Sequence, residues 1–171
     1  CQNHLPNNLF NSQLVEKINK ISEGHPLYLK YIVDYIQETN DVSLIDFPVF
    51  SCGIETYYEN IWRKISEDPQ LINILGILAR IRDEIGEDTL SNLLNQEQQL
   101  LFQSLRPKIL HLLYIENGNI GIYHQSFTSF IKNKTLEIDD SIYNQLSEYV
   151  VDNLNSNYAT ENLVYFLLQS N

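Results

Sequence analysis

The chain has 171 residues, of which 43% are hydrophobic and 19% are charged. This length allows one domain of ordinary size or two small ones, with a buried core. The 22 acidic residues outnumber the 11 lysines and arginines, so the formal net charge is −11. That charge argues against general binding to nucleic acid or to an acidic membrane surface, since both depend on clustered Lys and Arg. No apolar run reaches the roughly 18 residues of a membrane span.

The sequence contains no Met and begins at Cys1, which predicts a piece of a longer polypeptide, with removal of an initiator Met as the alternative. No signal-peptide pattern opens the chain. Cys1 and Cys52 do not have the spacing of a metal or redox motif. We therefore expect a cytoplasmic protein with no metal site.

The first two predicted helices flank a Gly-His-Pro turn. Apolar residues at helical spacing predict a first helix from Ser12. It ends at Gly24-His25-Pro26, since Gly favours the residue after a helix and Pro cannot continue one. Pro26 can open the second helix, predicted from Leu27 to about Glu38, because a first-turn residue needs no N–H. Thr39 to Cys52 has the composition of a linker.

The middle of the chain predicts four helices. Asp68 and Pro69 are typical of an N-cap and a first helical position. We expect that helix to stop at Gly86, and we expect Pro107 to separate the last helix from Ile109-Leu110. The predicted helices are Glu55 to Ser66, a helix from Asp68-Pro69, Glu87 to Leu94, and Gln96 to about Leu105.

A β-hairpin comes next, because the pattern then changes from helical to alternating. Asn117-Gly118 is a strong signal for a two-residue hairpin turn. The turn pairs Ile115 with Ile120 and Leu113 with Ile122, all on one face, because side chains alternate along a strand. His124 continues this alternation, so we expect it to point toward the packed face. His111, opposite it, is interpreted as structural.

The helices and the hairpin together predict a winged-helix domain in a mainly α fold. In this arrangement the helices form a helix-turn-helix core, and the hairpin is the wing. Three further helices are expected after it. They run from Gln125 to Lys132, from a cap at Asp139 or Asp140 through Leu154, and from a cap at Thr160 through Leu168.

The sequence contains no complete catalytic site. It lacks a phosphate-binding glycine loop and any zinc-ligand spacing, so we predict no catalytic residue and no metal ligand. Tyr28, Tyr31 and Tyr35 have helical spacing, which is more typical of a core than of a base-stacking surface. DNA binding is also unfavourable, because neither the candidate recognition helix Glu87 to Asn95 nor the hairpin tip Glu116 to Asn119 carries a Lys or Arg.

Two segments resemble one family. Ser22 to Leu29, with Gly24-His25-Pro26-Leu27-Tyr28-Leu29, resembles the G-x-P motif in the helical lid of STAND-class NTPases, the NACHT and NB-ARC group of signalling proteins. His124 to Ile131 is similar to the His-x-Ser-Phe-x-x-Phe-Ile ending of their winged helix. The helices after this ending, with Tyr158-Ala159 and Tyr165 to Leu168, look like the start of the helical superstructure.

The resemblance implies a role for each segment. It divides the chain into a helical lid segment (1–48), a winged-helix domain (49–136) and the start of a helical superstructure (137–171). Pro26 would contact the adenine and His124 would sense the phosphates of ADP in the resting state. The Walker A and Walker B motifs are absent, so the chain is not an enzyme on its own.

The same resemblance implies the cofactor and the partners. ATP or ADP would bind only together with an N-terminal nucleotide-binding core of the same polypeptide. An oligomer would form on activation, in a signalling or defence role, without nucleic acid or membrane. The alternative is a stand-alone winged-helix protein-interaction module without nucleotide. Locally, Gly24-His25-Pro26 can also be a plain helix–helix turn, and His124 a satisfied core residue.

Overall fold

The computed structural model describes residues 12–40, 42–43, 53–82 and 84–170. It divides into two compact units, Cys1–Ile61 and Trp62–Asn171, each of which is considered by itself. The described residues are mainly helical, with one small antiparallel sheet, as predicted. The domain bounds expected from the resemblance stay a prediction.

The first unit contains α1 (Ser12–Ser22), α2 (Pro26–Thr39) and most of α3 (Ile54–Ile65), within which the boundary between the units falls. Leu14, Ile18 and Ile21 bury one face of α1 at the expected helical spacing. α1 packs against α2. Most of the predicted linker, Thr39 to Cys52, lies outside the described residues.

The second unit contains six helices, three strands and two short 3₁₀ helices among the residues that the structure describes. In chain order they are α4 (Pro69–Arg80), β1 (Ile85–Gly86), α5 (Glu87–Leu93), α6 (Gln96–Ile109), a 3₁₀ helix (Leu110–Leu112), β2 (Leu113–Glu116), β3 (Asn119–Ile122), α7 (Gln125–Lys134), a 3₁₀ helix (Leu136–Ile138), α8 (Asp139–Asp152) and α9 (Asn157–Gln169). Along the chain, helices α3 to α6 and the hairpin follow one another in the order that we predicted as a winged helix.

Helix α4 is central to this unit. Its N-cap is Asp68, whose carboxylate accepts the Gln70 N–H at 2.8 Å, and Pro69 takes the first position, as predicted. Ile74, Leu75 and Ile77 are fully buried. The helix packs against α6, α7 and α8, so most of its circumference is covered.

The hairpin has the predicted register, and a third strand completes the sheet. Leu113 pairs with Ile122 and Ile115 with Ile120, and Asn117 and Gly118 have positive φ angles of 53° and 79°. Such angles are those of the tight turns that match strand twist. The strand order is β1-β3-β2, so the two-residue β1 pairs with β3.

The sequence did not predict β1, and it placed the end of α4 incorrectly. The helix ends at Arg80 and does not continue to Gly86. Ile85, fully buried, instead pairs with Ile120 across the sheet. A contact between residues so far apart in the chain overrides the local helical pattern.

Pro107 does not end α6, contrary to the prediction. It lies inside the helix, which continues to Ile109. A proline here removes one backbone hydrogen bond, the one that would reach the Gln103 carbonyl. Gln103 is exposed, so water can donate to that carbonyl, and the helix continues.

The predicted caps of the last two helices were also wrong. Asp139 and Asp140 lie in the first turn of α8, where a negative charge favours the helix dipole, and Ile138 is the N-cap. Ser156 precedes α9, and the Thr160 hydroxyl donates back to the Asn157 carbonyl at 2.9 Å. Polar residues near a helix start therefore left the cap position ambiguous.

A buried arginine joins α4 to the start of α8. Arg80 is 2% exposed and forms an ion pair with Asp139. Its guanidinium also donates to the Gly76 carbonyl at 3.1 Å and to the Thr135 hydroxyl at 2.8 Å. The Tyr143 ring lies 5.9 Å from it. This cluster gives the cation the partners that a buried charge requires.

Among the described residues, no helix is both long and apolar enough to cross a membrane.

Candidate functional site

Pro26 lies at an exposed turn between two helices. Glu23 and Gly24 have positive φ angles of 50° and 76°, and the chain reverses there. The His25 N–H donates to the Ser22 carbonyl at 2.9 Å. Pro26 then takes the first position of α2, as predicted, and its ring is exposed.

An aromatic cluster supports the helix that Pro26 begins. Tyr28 and Tyr31 are fully buried, and the Tyr31 ring stacks on Tyr57 at 5.4 Å between centroids. The hydroxyls of Tyr31 and Tyr58 lie 3.2 Å apart. Tyr28 and Tyr31 therefore belong to the core, as predicted, and Tyr35 is half-buried.

His124 lies two residues after the end of β3 and serves as the N-cap of α7. Its Nδ1 accepts the Ser126 backbone N–H at 3.1 Å and lies 2.7 Å from the Ser126 hydroxyl oxygen. The His124 carbonyl accepts the Phe127 N–H at 3.0 Å. Side-chain caps of this kind satisfy backbone donors that a helix start leaves unpaired.

The prediction that His124 points toward the packed face was wrong. The strand ends at Ile122, so the alternation stops before His124, and the side chain is exposed. His111 does not lie opposite it in the ladder, because His111 belongs to the 3₁₀ helix before β2 and is buried. The interpretation of His124 as a buried core residue is therefore excluded.

The hairpin residues share a face as expected, but that face is not covered along its whole length. Leu113 and Ile120 are buried, whereas Ile115, next to the turn, is 38% exposed. Ile120, which pairs with Ile115, lies on the central strand β3 and is fully buried, so the exposed part of this face belongs to the edge strand β2.

Acidic side chains lie at the start of α5 and near the hairpin tip. Glu87 and Asp88 open α5, and the only Arg that contacts this start among the described residues, Arg106, donates to both Glu87 carboxylate oxygens at 3.0 Å. The Asn119 amide donates to Glu84 at 3.0 Å near the hairpin tip. The start of the candidate recognition helix therefore presents acidic side chains, and the Arg that contacts it is paired with Glu87.

The predicted site residues lie in different units, Pro26 in the first and His124 in the second. In the part of the chain that the structure describes, no group of three His, Cys, Asp or Glu could hold a metal. Sequence reasoning did not assign a role to Ser126, because His is not among the residues that usually cap a helix, so no local signal marked the contact between them.

Comparison of the chain with protein-family models, with curated protein sequences and with solved structures gave no match.

Proposed function

We propose that this chain is the regulatory part, a helical lid followed by a winged helix, of a STAND-class switch controlled by ATP and ADP. It would hold the resting, ADP-bound state together with a nucleotide-binding core of the same polypeptide, in the cytoplasm. Activation would release that state and allow an oligomer to form. The chain itself would contribute no catalytic residue.

The observation that carries the proposal is the exposed His124 at the N-cap of α7. A side chain that senses a bound phosphate must be exposed at the surface of its domain, and His124 is exposed two residues after the end of the wing. The positive end of the α7 dipole also favours an anion near this helix start. The exposed Pro26, held at the start of α2 by an ordered turn, supports the adenine contact in the same way.

The proposed switch depends on a difference between ADP and ATP. A ligand shifts an equilibrium only by as much as its affinities for the two states differ. His124 would stabilise the resting state if it bonds ADP in that state and loses this bond when ATP is bound. The lid would add affinity through the Pro26 ring, which offers an apolar face to the base.

The first test measures ADP release from the full-length polypeptide with His124→Ala. A hydrogen bond to a charged group contributes about 1.5–3 kcal/mol, so we expect release to accelerate roughly ten- to hundredfold. Basal activation should rise with it. His124→Asn is the matched control, because Asn also caps a helix well but has no imidazole.

The two variants separate capping from sensing. If both accelerate ADP release, the imidazole is the sensor. If only His124→Ala does so, the cap of α7 matters and the sensor role is lost. An unchanged release rate in both variants would remove His124 from the nucleotide site.

The lid contact has its own test in Pro26→Ala. Ala is a good residue at a first helical position, so stability should change by less than about 1 kcal/mol. Loss of the ring against the base should nevertheless weaken ADP binding, measured by calorimetry on the full-length polypeptide. Equal ADP affinity in Pro26→Ala and wild type would contradict the adenine contact.

A protein-interaction module without nucleotide is the second candidate. Exposed apolar side chains on α9 favour it, since Val164 and Leu168 are 68% and 76% exposed. Residues four apart share one face of a helix, and an exposed apolar face is typical of a protein contact. The test is the native reading frame before Cys1. If it contains no nucleotide-binding motifs, the protein-interaction module is favoured over the nucleotide switch.

A further inference from the structure

Two donor groups of a single residue converge on one nitrogen of His124. The Ser126 backbone N–H donates to Nδ1 at 3.1 Å, and the Ser126 hydroxyl oxygen lies 2.7 Å from the same nitrogen. A backbone N–H can only donate, so Nδ1 must direct its lone pair toward it. A neutral imidazole with an unprotonated Nδ1 carries its proton on Nε2.

We propose that Ser126 is a positioning residue that fixes His124 as the Nε2–H tautomer, so that the sensor offers a donor to the nucleotide phosphates. This inference rests on the proposed function for its ligand, but the tautomer itself is a property of this chain. Nε2 is on the opposite side of the ring from Nδ1. Within the described residues it has no hydrogen-bond partner, and the side chain is exposed.

The tautomer determines which ligand atoms His124 can bind. An Nε2–H donates to a phosphate oxygen, which is an acceptor only. The other tautomer would present a lone pair from Nε2, and two lone pairs repel. Ser126 therefore selects for a hydrogen-bond acceptor at this position, such as a phosphate oxygen, without any need for a full positive charge on the ring.

The hydroxyl contributes separately from the backbone amide. The amide is present whatever the side chain, whereas the hydroxyl is specific to Ser or Thr at this position. A net hydrogen bond shifts an equilibrium by roughly fivefold. Removal of the hydroxyl should therefore raise the Nδ1–H to Nε2–H ratio by about that factor, while the cap of α7 remains.

The test is NMR of the chain with ¹⁵N-labelled histidine, in mildly alkaline solution and without nucleotide. Long-range correlations from the ring carbon protons report which nitrogen carries the proton. We expect an unprotonated Nδ1 and a protonated Nε2 in wild type. Ser126→Ala should raise the Nδ1–H fraction, and Ser126→Thr, which keeps the hydroxyl, should restore the wild-type spectrum.

Two results would overturn the inference. One is an Nδ1–H signal in the wild type, which would mean that the ring donates to the Ser126 hydroxyl. The other is an identical tautomer ratio in wild type and Ser126→Ala, which would mean that the hydroxyl does not position the ring.

A second measurement separates this inference from the proposed function. In the full-length polypeptide, Ser126→Ala should accelerate ADP release by at most about fivefold, less than His124→Ala, because affinity falls with the fraction of the Nε2–H tautomer, and Ser126→Thr should release ADP at the wild-type rate. If His124→Ala leaves ADP release unchanged, the proposed function fails and the NMR result still decides the tautomer. If His124→Ala acts but Ser126→Ala does not, the positioning role alone fails.

Discussion

Arg80 is the residue whose removal should reveal most about the second unit. It is 2% exposed, in the otherwise apolar run Leu78-Ala79-Arg80-Ile81. Its partner Asp139 is different, because the Asp139 side chain is 38% exposed. Removal of Asp139 therefore leaves a buried charge, whereas removal of Arg80 leaves a charge that water can reach, so the two removals should cost different amounts of folding free energy.

We expect Asp139→Asn to destabilise the protein more than Arg80→Met. The first change leaves a buried cation without its anion, which costs about 3–5 kcal/mol in such pairs. The second removes the buried charge and leaves a carboxylate that water can reach. Urea unfolding followed by circular dichroism measures both free energies.

The double variant Arg80→Met with Asp139→Asn provides the control. It should be more stable than Asp139→Asn alone, because no buried charge remains. A double variant that is less stable than either single variant would show that the unpaired charge of Arg80 is not the cause of the destabilisation in Asp139→Asn.

At the residue scale, the sequence predicts a position well where the determinants are local. Asp68 and Pro69 begin α4 as expected, because a cap needs only the residues beside it. The same holds for the Asn117-Gly118 turn. His124 failed this test, because its direction depends on where β3 ends, and neither its own residue type nor its neighbours determine that point.

Among the elements, the hairpin depends on a close approach between its two strands. Tyr114 pairs with Gly121, and a Cβ added at Gly121 would lie 2.5 Å from the Tyr114 ring. Gly121 is buried, and its missing side chain gives the ring its space. The observed packing of β2 against β3 therefore requires a residue without a side chain at position 121.

Gly121→Ala should destabilise the hairpin by about 1–3 kcal/mol, the usual cost of overpacking. Adding Tyr114→Val should recover part of that loss, because it removes the ring that clashes. Gly118→Ala is the comparison, since Gly118 has a φ of 79° and nothing within 4 Å of an added Cβ. Thermal unfolding compares the variants.

The rescue is the critical result. Tyr114→Val should help Gly121→Ala but not Gly118→Ala, whose cost is backbone strain. If Tyr114→Val stabilises both glycine variants or neither, the contact with the Tyr114 ring is not the cause of the destabilisation in Gly121→Ala.

Long amphipathic helices were predicted close to their observed bounds, because their signal is spread over several turns. Elements set by distant contacts were not. Two residues cannot show a strand pattern, so β1 has no signal of its own and exists only because β3 pairs with it. Pro107 was predicted to end α6, but the loss of one backbone hydrogen bond, to the exposed residue Gln103, does not end a helix that is packed against α4.

For the whole molecule, the stability should depend on alkaline pH through two tyrosines of α8. Burial raises the pKa of Tyr143 above the ordinary value of 10.0, and the neighbouring Tyr165 raises it further. Burial also raises the pKa of Tyr149. Both side chains are buried, so the neutral form is favoured in the folded chain.

The direction of the pH effect is set by these raised values. The stabilisation is complete below about pH 10 and is lost as the pH rises toward the folded pKa values, because the unfolded chain releases protons that the folded chain keeps. We expect the free energy of unfolding to fall by up to about 1.4 kcal/mol per pH unit for each tyrosine. Urea unfolding at several pH values measures this slope.

Tyr143→Phe and Tyr149→Phe should each flatten the slope, and the double variant should flatten it further. A slope that is the same in wild type and in the double variant would assign the alkaline loss to other groups.

The mainly α class with one hairpin could be predicted for the whole chain, because hydrophobic period and turn residues are enough for it. A nucleotide role for Pro26 and His124 stays a proposal that rests on the family resemblance, because hydrophobic period and turn residues carry no information on a ligand.

The three-stranded sheet also constrains the order of folding. The hairpin joins neighbouring residues and can close within microseconds, but β1 must meet β3 across a separation of 35 residues, the span of the Glu84–Asn119 contact. That longer loop carries a larger entropic cost and encloses all of α5 and α6. The hairpin should therefore form early and act as a template, and the arrival of Ile85 should mark the late step at which the unit becomes native.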